Sequence, residues 1–278
     1  NLAVLTAPGG ITLNTDLFNW VVPTNSPQFD TSGVLTIQPT SASFAQGSDL
    51  GWFKFNVNHT MSGLNYGKSG NAADITIQTN NISAAGPINI YGSNIYVNSG
   101  ANLTATASGQ GILLKATGSI TVGTGTAITL QTNNGNITLW ADADGNSDGY
   151  IRVRENATFN SANGSTSQTN GGGAITLAGG SSVDANGLPS GYAYSPSSNT
   201  ALWGTTAASG VQLGAYSNTV TPINFYSGGG NIIIRGKAAN GAPGISWFAS
   251  TSGTQNMNAG SGTITIDGQA IGTGHGIE

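Results

Sequence analysis

Residues 86–131 read GPINIYGSNIYVNSGANLTATASGQGILLKATGSITVGTGTAITLQ. Within this stretch INIY (88–91), NIYVN (94–98), ILLK (112–115), SITV (119–122) and AITLQ (127–131) alternate apolar with polar residues. That is the period of a strand with one face turned inward. Ile, Val, Thr and Leu fill the runs, and Gly, Asn and Ser separate them with turn-forming chemistry. The nearest helical candidate, LTATAS near 103, also alternates and is broken by Gly109 and Gly111.

The same signal extends both ways, through ITIQ (75–78), NITLW (136–140), YIRVR (150–154), AITL (174–177), NIIIR (231–235) and TITI (263–266). Starts at Ile75, Ile95, Ile112, Ile128 and Ile151 lie about 16 to 23 residues apart, with a second short strand between most of them. Short strands at such intervals point to stacked coils rather than a sandwich of long hairpins. The expected fold is all-β, a parallel β-helix (β-solenoid) with loop insertions. Inward Ile, Val and Leu would form a thin central stack, with neighbouring coils paired in parallel. The NNG at 133–135 fits a corner or a small excursion. One continuous segment over 1–278 is expected, irregular and aromatic-rich over 1–70 and regular over 71–278, with insertions near 156–172 and 188–209.

Composition agrees with this reading. The 278 residues include 43 Gly, 37% are hydrophobic and 6% charged, and the net charge is −4. A chain this apolar and this weakly charged does not fit the disordered class. Seven basic residues leave no electrostatic footprint for nucleic acid. No run approaches the roughly 18 apolar residues of a membrane span. Without cysteine, neither a disulfide framework nor a thiolate zinc site can form. The opening Asn-Leu-Ala and the closing IGTGHGIE both read as cut from something longer.

Several stretches together resemble one family. TSGVLTIQPTSASF (31–44), SGLNYGKSGNAADITIQ (62–78), GPINIYGSNIYVNSGANLTA (86–105), GILLKATGSITV (111–122), GAITLAGGSSVDANG (173–187) and SGTITIDGQ (261–269) are similar to repeats of filamentous-haemagglutinin-like large exoproteins. The resemblance implies a right-handed β-solenoid in an extracellular or cell-surface fibre of Gram-negative bacteria. Such fibres leave by a two-partner route or as autotransporters, and serve as adhesins or stalks. The family's amino-terminal secretion domain and carboxy-terminal anchor are not apparent in this sequence. A non-enzymatic structural or adhesive segment is therefore expected. Its partners would be other coils, met end to end or by covalent continuation, and host or matrix glycans or proteins.

One motif points elsewhere. DADGNSDGYIRVRE (142–155) places Asp144, Asn146, Asp148, Gly149 and Glu155 in the calcium-loop pattern. A helix–loop–helix site needs its final Glu to fold back, because a helix begins inside the loop. YIRVR reads instead as a strand, which would carry Glu155 roughly 20 Å beyond Gly149 at about 3.3 Å per residue. The full calcium switch is rejected on that ground. What survives is a weak calcium-binding turn of Asp142, Asp144, Asn146 and Asp148. Against it stands the simpler reading of a corner that uses the left-handed tolerance of Asp, Asn and Gly.

No catalytic constellation is legible. His59 and His275 lack any motif context. Alternation in YIRVR turns Arg152 and Arg154 outward, as solvated charges. With Arg235 and Lys237 they are the basic residues a solenoid acting on acidic polysaccharide would need, but they are scattered along the chain. Tyr91, Tyr96, Trp140 and Tyr150 are expected to point outward. There they would serve as platforms for sugars or partner proteins, or be covered by the insertions. Phe18, Trp20, Trp52, Phe53 and Phe55 read as bulky coil interior. Of the sequons at Asn58, Asn81, Asn102, Asn136, Asn156 and Asn163, outward Asn102 or Asn156 would be the candidates for glycosylation, since some adhesins of this class are glycosylated.

Overall fold

Apolar residues at the same place in successive coils lie directly over one another. Ile88, Ile112, Ile137, Ile175, Ile232 and Ile264 are in-register partners down one sheet. Leu103, Leu130, Phe159, Phe225 and Met257 are partners down another. The computed structural model describes residues 4–18, 26–55, 58–78, 81–123, 126–154, 156–196, 209–214, 222–239, 241–248 and 254–278.

Among the described residues the chain is a parallel β-helix of three long sheets, visited in rotation from Gly63 onward, with a separate two-stranded parallel sheet of Val4–Thr6 and Gln28–Asp30 near the start. The first carries Ile11–Asn14, Val34–Gln38, Gly63–Tyr66, Ile88–Gly92, Ile112–Ala116, Ile137–Ala141, Ile175–Val183, Ile232–Ala238 and Ile264–Ala270. The second carries Ser48–Asp49, Ile75–Ile77, Ile95–Val97, Ile120–Val122, Ile151–Val153, Val211–Leu213 and Ile245–Trp247. The third carries Asn81–Ala84, Asn102–Ala105, Ile128–Thr132, Ala157–Asn160, Asn224–Tyr226 and Asn256–Asn258. A regular coil runs from Ile88 to Ile112, or from Ile112 to Ile137, and contributes one strand to each sheet. The starts used above to estimate the repeat, Ile75, Ile95, Ile112, Ile128 and Ile151, belong to three different sheets. The true coil is therefore longer than their spacing suggests.

The stacks account for the composition. Inward positions are buried along the whole axis, from Leu35 and Ile37 to Val211, Phe225 and Ile245. At the corner before the first sheet, glycines stack on glycines. A Cβ on Gly173 would run into the carbonyl of Gly135, one on Gly230 into that of Gly173, and one on Gly262 into that of Gly230. Coils about 4.8 Å apart leave no room there for a side chain. Outward polar residues also form ladders. Asn89 Nδ2 donates to Asn65 Oδ1 at 3.0 Å, Asn102 Nδ2 to Asn81 Oδ1 at 2.7 Å, and Asn256 Nδ2 to Asn224 Oδ1 at 3.0 Å.

The described residues between 4 and 70 are the bulkier end. Phe18 packs against Phe44 and Phe53 with ring centroids 5.5 Å apart, and Phe53 lies 6.2 Å from Phe55. Trp52 meets Phe18 edge-on at the end of a single 3-10 turn, Leu50–Trp52, where Asp49 Oδ1 accepts from the Gly51 amide at 2.7 Å. Trp20 and Glu155 lie outside the described residues.

One excursion breaks the rotation. Strand Ile175–Val183 runs past its sheet, turns, and returns antiparallel as Pro189–Gly191. Ala193–Ser195 then pairs in parallel with the far end of Ile232–Ala238. The hairpin is pinned to the outer face of the first sheet. Tyr192 Oη donates to Asp267 Oδ2 at 2.7 Å and accepts from Gln269 Nε2 at 2.6 Å, while Arg235 Nη1 donates to Ser190 O at 3.2 Å. Of the insertion expected near 188–209, 197–208 lies outside the described residues. In the one expected near 156–172, Ala157–Asn160 is an ordinary third-sheet strand, and the excursion begins at Ser161.

Candidate functional site

The outer face of the first sheet brings Tyr91, Lys115 and Trp140 into one row, because Lys115 is the register partner of both aromatics. Alternation puts these side chains outside when Ile90, Leu114 and Leu139 point in. Trp140 is only 7% exposed, so of the two expected readings, open platform or covered ring, the structure has the covered one. The cause is the hairpin, where Trp140 Nε1 donates to Gly180 O at 2.7 Å, which fixes the indole. Lys115 Nζ sits over that ring at 3.7 Å from its centroid. Burial draws the lysine's pKa down and pushes the Tyr91 phenol up.

Two concavities flank the row. One, of about 140 Å³, is lined by Ser69, Tyr91, Lys115, Thr117 and Asp144 together with the backbone of Gly70 and Gly92. The other, of about 180 Å³, lies under the hairpin tip, with Leu113, Thr138 and Trp140 as floor and Gly187 and Leu188 as wall. Among the described residues, neither Lys115 nor the Tyr91 hydroxyl has a hydrogen-bonding or ion-pairing side chain. Sequence reasoning named the aromatics and missed Lys115. The signal was present, since ILLK aligns with INIY and NITLW position by position.

The other aromatic pair lies on the second sheet. Tyr96 is 37% exposed and Tyr150 is half-buried. Arg152, expected to be solvated, is instead 2% exposed, with its guanidinium 4.2 Å from the Tyr150 ring centroid. The bridge between Gly149 and Tyr194 brings the excursion beside the start of this strand, a contact that local alternation does not announce. No hydrogen-bond partner reaches the Arg152 nitrogens among the described residues. Arg235 and Lys237 share one outer face of the first sheet, on a different sheet from Arg152, so these basic residues do not converge.

Residues 142–149 form a corner. Asp142 is 3% exposed, with φ of 49°, and its Oδ1 accepts from the amides of Ser147 (3.0 Å) and Asp148 (3.4 Å). Asp144 accepts from Asn146 Nδ2 at 2.9 Å. The carboxylates thus serve the turn itself, and no group of three acidic or imidazole side chains converges as a metal site among the described residues. Burial pushes the Asp142 carboxyl up to about 6, although the amides of Asp148 and Ser147 pull it down. A folded-state pKa above the unfolded one means the native chain binds the extra proton between about pH 4 and pH 6. Stability therefore rises as pH falls through 6 and is lost as pH climbs back. Asp142→Asn is expected to flatten this slope and to gain about 1–2 kcal/mol at pH 7.5, after allowance for solvent screening. Thermal melts of both proteins from pH 4 to 8 check it, and parallel slopes would refute it.

His59 pairs with Asp30 through Nδ1 at 2.8 Å, and Asp30 also accepts from Asn58 Nδ2 at 3.0 Å. These donors, that of Asn58 first, hold the Asp30 carboxyl below its usual range. His275 lies in the last coil, where Gly244 N donates to its carbonyl at 3.1 Å. Asn102 donates to Asn81 and accepts from Thr129 N at 2.9 Å, so its carboxamide is committed on both sides. Asn156 is half-buried at a corner, with φ of 53°.

Comparison of the chain with protein-family models, with curated proteins and with solved structures yields no match.

Proposed function

We propose that the chain is a rigid structural or adhesive segment of an extracellular bacterial surface fibre, of the filamentous-haemagglutinin-like kind, without an enzymatic role. The observation that carries this reading is the unbroken register of three parallel sheets, with apolar columns that reach both end faces. At one end Leu5, Leu13, Leu17, Phe18 and Phe29 line an apolar concavity of about 230 Å³. At the other, Ile264 and Ile277 are exposed above the last coil. Each face matches in kind the coil surface it would receive, so a neighbouring coil continues the stack, whether from the same chain or from another. Stability in such a stack is a sum of local interfaces, which lets it grow long without a large core.

The test is to label source cells with an antibody against residues 86–154 and to measure the denatured mass of the native polypeptide. Label along filaments outside the envelope is expected. A mass near 27.8 kDa would make the stack a polymer of separate subunits, and one of several hundred kilodaltons a single covalent rod. Label confined to the cell interior would overturn the proposal.

A further inference from the structure

We infer that the Tyr91–Lys115–Trp140 row, with the concavities beside it, binds an acidic saccharide, whose carboxylate pairs with Lys115 while a sugar ring lies against Tyr91. The inference goes beyond the fibre reading and does not depend on it.

Rigidity is the first ground. Each of the three side chains springs from a strand hydrogen-bonded on both sides, so the row is set before any ligand arrives. The span from Tyr91 to Trp140 is two coil steps, roughly 10 Å, enough for more than one sugar ring.

Charge is the second. Lys115 is half-buried, and its only partner among the described residues is the Trp140 ring. An ammonium held that way keeps part of its attraction for an anion, because the ring's quadrupole neutralises nothing. Lys115 lines a concavity together with Tyr91 and Thr117, whose hydroxyls can bond those of a sugar. Asp144 lies at the same rim, but both of its oxygens are engaged by Asn146, Oδ2 by the side-chain amide at 2.9 Å and Oδ1 by the backbone amide at 3.4 Å, and no ion pair joins it to Lys115.

Shape is the third. The hairpin stands over one side of the row, with Leu188 above the floor of Leu113 and Thr138. A ligand laid across the coils would thus have an apolar wall on one flank and a polar recess on the other, the mixture typical of small-molecule sites. The outer face beyond the hairpin offers no such combination, because there Tyr192, Asp267, Gln269, Arg235 and Ser190 already satisfy one another.

The experiment is titration of the whole chain, followed by calorimetry and by amide shifts in NMR. The probes are tetramers of galacturonate, glucuronate and sialate, and neutral hexose tetramers as comparison. At least one acidic tetramer is expected to bind, shifting the amides of 91, 115 and 144, with neutral tetramers at least about tenfold weaker. Lys115→Gln should cost about tenfold in affinity and Tyr91→Leu a similar amount, with the melting temperature of each variant within a few degrees of the parent. Failure of every acidic tetramer, equal binding of neutral ones, or unchanged affinity in Lys115→Gln would each overturn the inference. Should Tyr91→Leu disturb the fold, Lys115→Gln carries the test alone.

Discussion

Gly173→Val is expected to cost about 3 kcal/mol or more and to split the melting transition of the chain in two. Its Cβ would be driven into the carbonyl and amide of Gly135–Asn136, backbone atoms of the coil beneath. No rotamer relieves that contact, so the coils must part at this corner. Overpacking usually costs about 1–3 kcal/mol when side chains can give way, and more when only backbone can. The column continues through Gly230 and Gly262, so parting the coils at Gly173 also removes support from the coil above. Differential scanning calorimetry checks it. One sharp transition within a few degrees of the parent would show that the corner has room after all.

Phe159→Ala should lower stability by about 3–5 kcal/mol, the range for deleting a fully buried aromatic. Phe159 is completely buried and stacks on Phe225 with centroids 5.0 Å apart and planes 10° from parallel. Truncation leaves Leu130 below and Phe225 above facing a void in the middle of the rod. Met257→Ala, one coil beyond Phe225, should cost less than half as much, because Met257 is only partly buried at the end of the same column. Urea melts of the two variants compare them directly. Equal losses would mean that the column does not behave as a chain of nearest-neighbour contacts.

The sequence's alternation disclosed more of the interior than of the surface. Ile88, Ile90, Leu114, Leu139 and Ile151 are inward in the structure because a period of two admits one solution once a face is buried. The coil period was not legible, because a strand shows its face but not which of three sheets it joins. Ile128 and Ile151 look alike and lie on different sheets. The cover over Trp140 and the burial of Arg152 share a cause. Trp140 and Arg152 do face outward from their strands, yet an excursion dozens of residues downstream reaches both neighbourhoods, at Gly180 and Tyr194. Nothing local to NITLW or YIRVR encodes that cover. The corner at 142–149 was legible in part. Its Asp and Asn composition announced a turn, whereas the burial of Asp142 depended on the coil packed around it.

The hairpin also bears on how the rod would carry load. Regular coils hold only their neighbours, so a pull that peels them apart would release one coil at a time. Each coil of the Ile88-to-Ile112 kind would pay out roughly 80 Å of extended chain. The hairpin is strapped to strands on both sides of it, through Gly180 to Trp140 and through Tyr192 to Asp267. Peeling from the carboxy-terminal side must break that strap before the coils beneath it can open. The rod is therefore graded along its length, with a reinforced collar near residues 180–195 above a run of weaker, sequentially yielding turns.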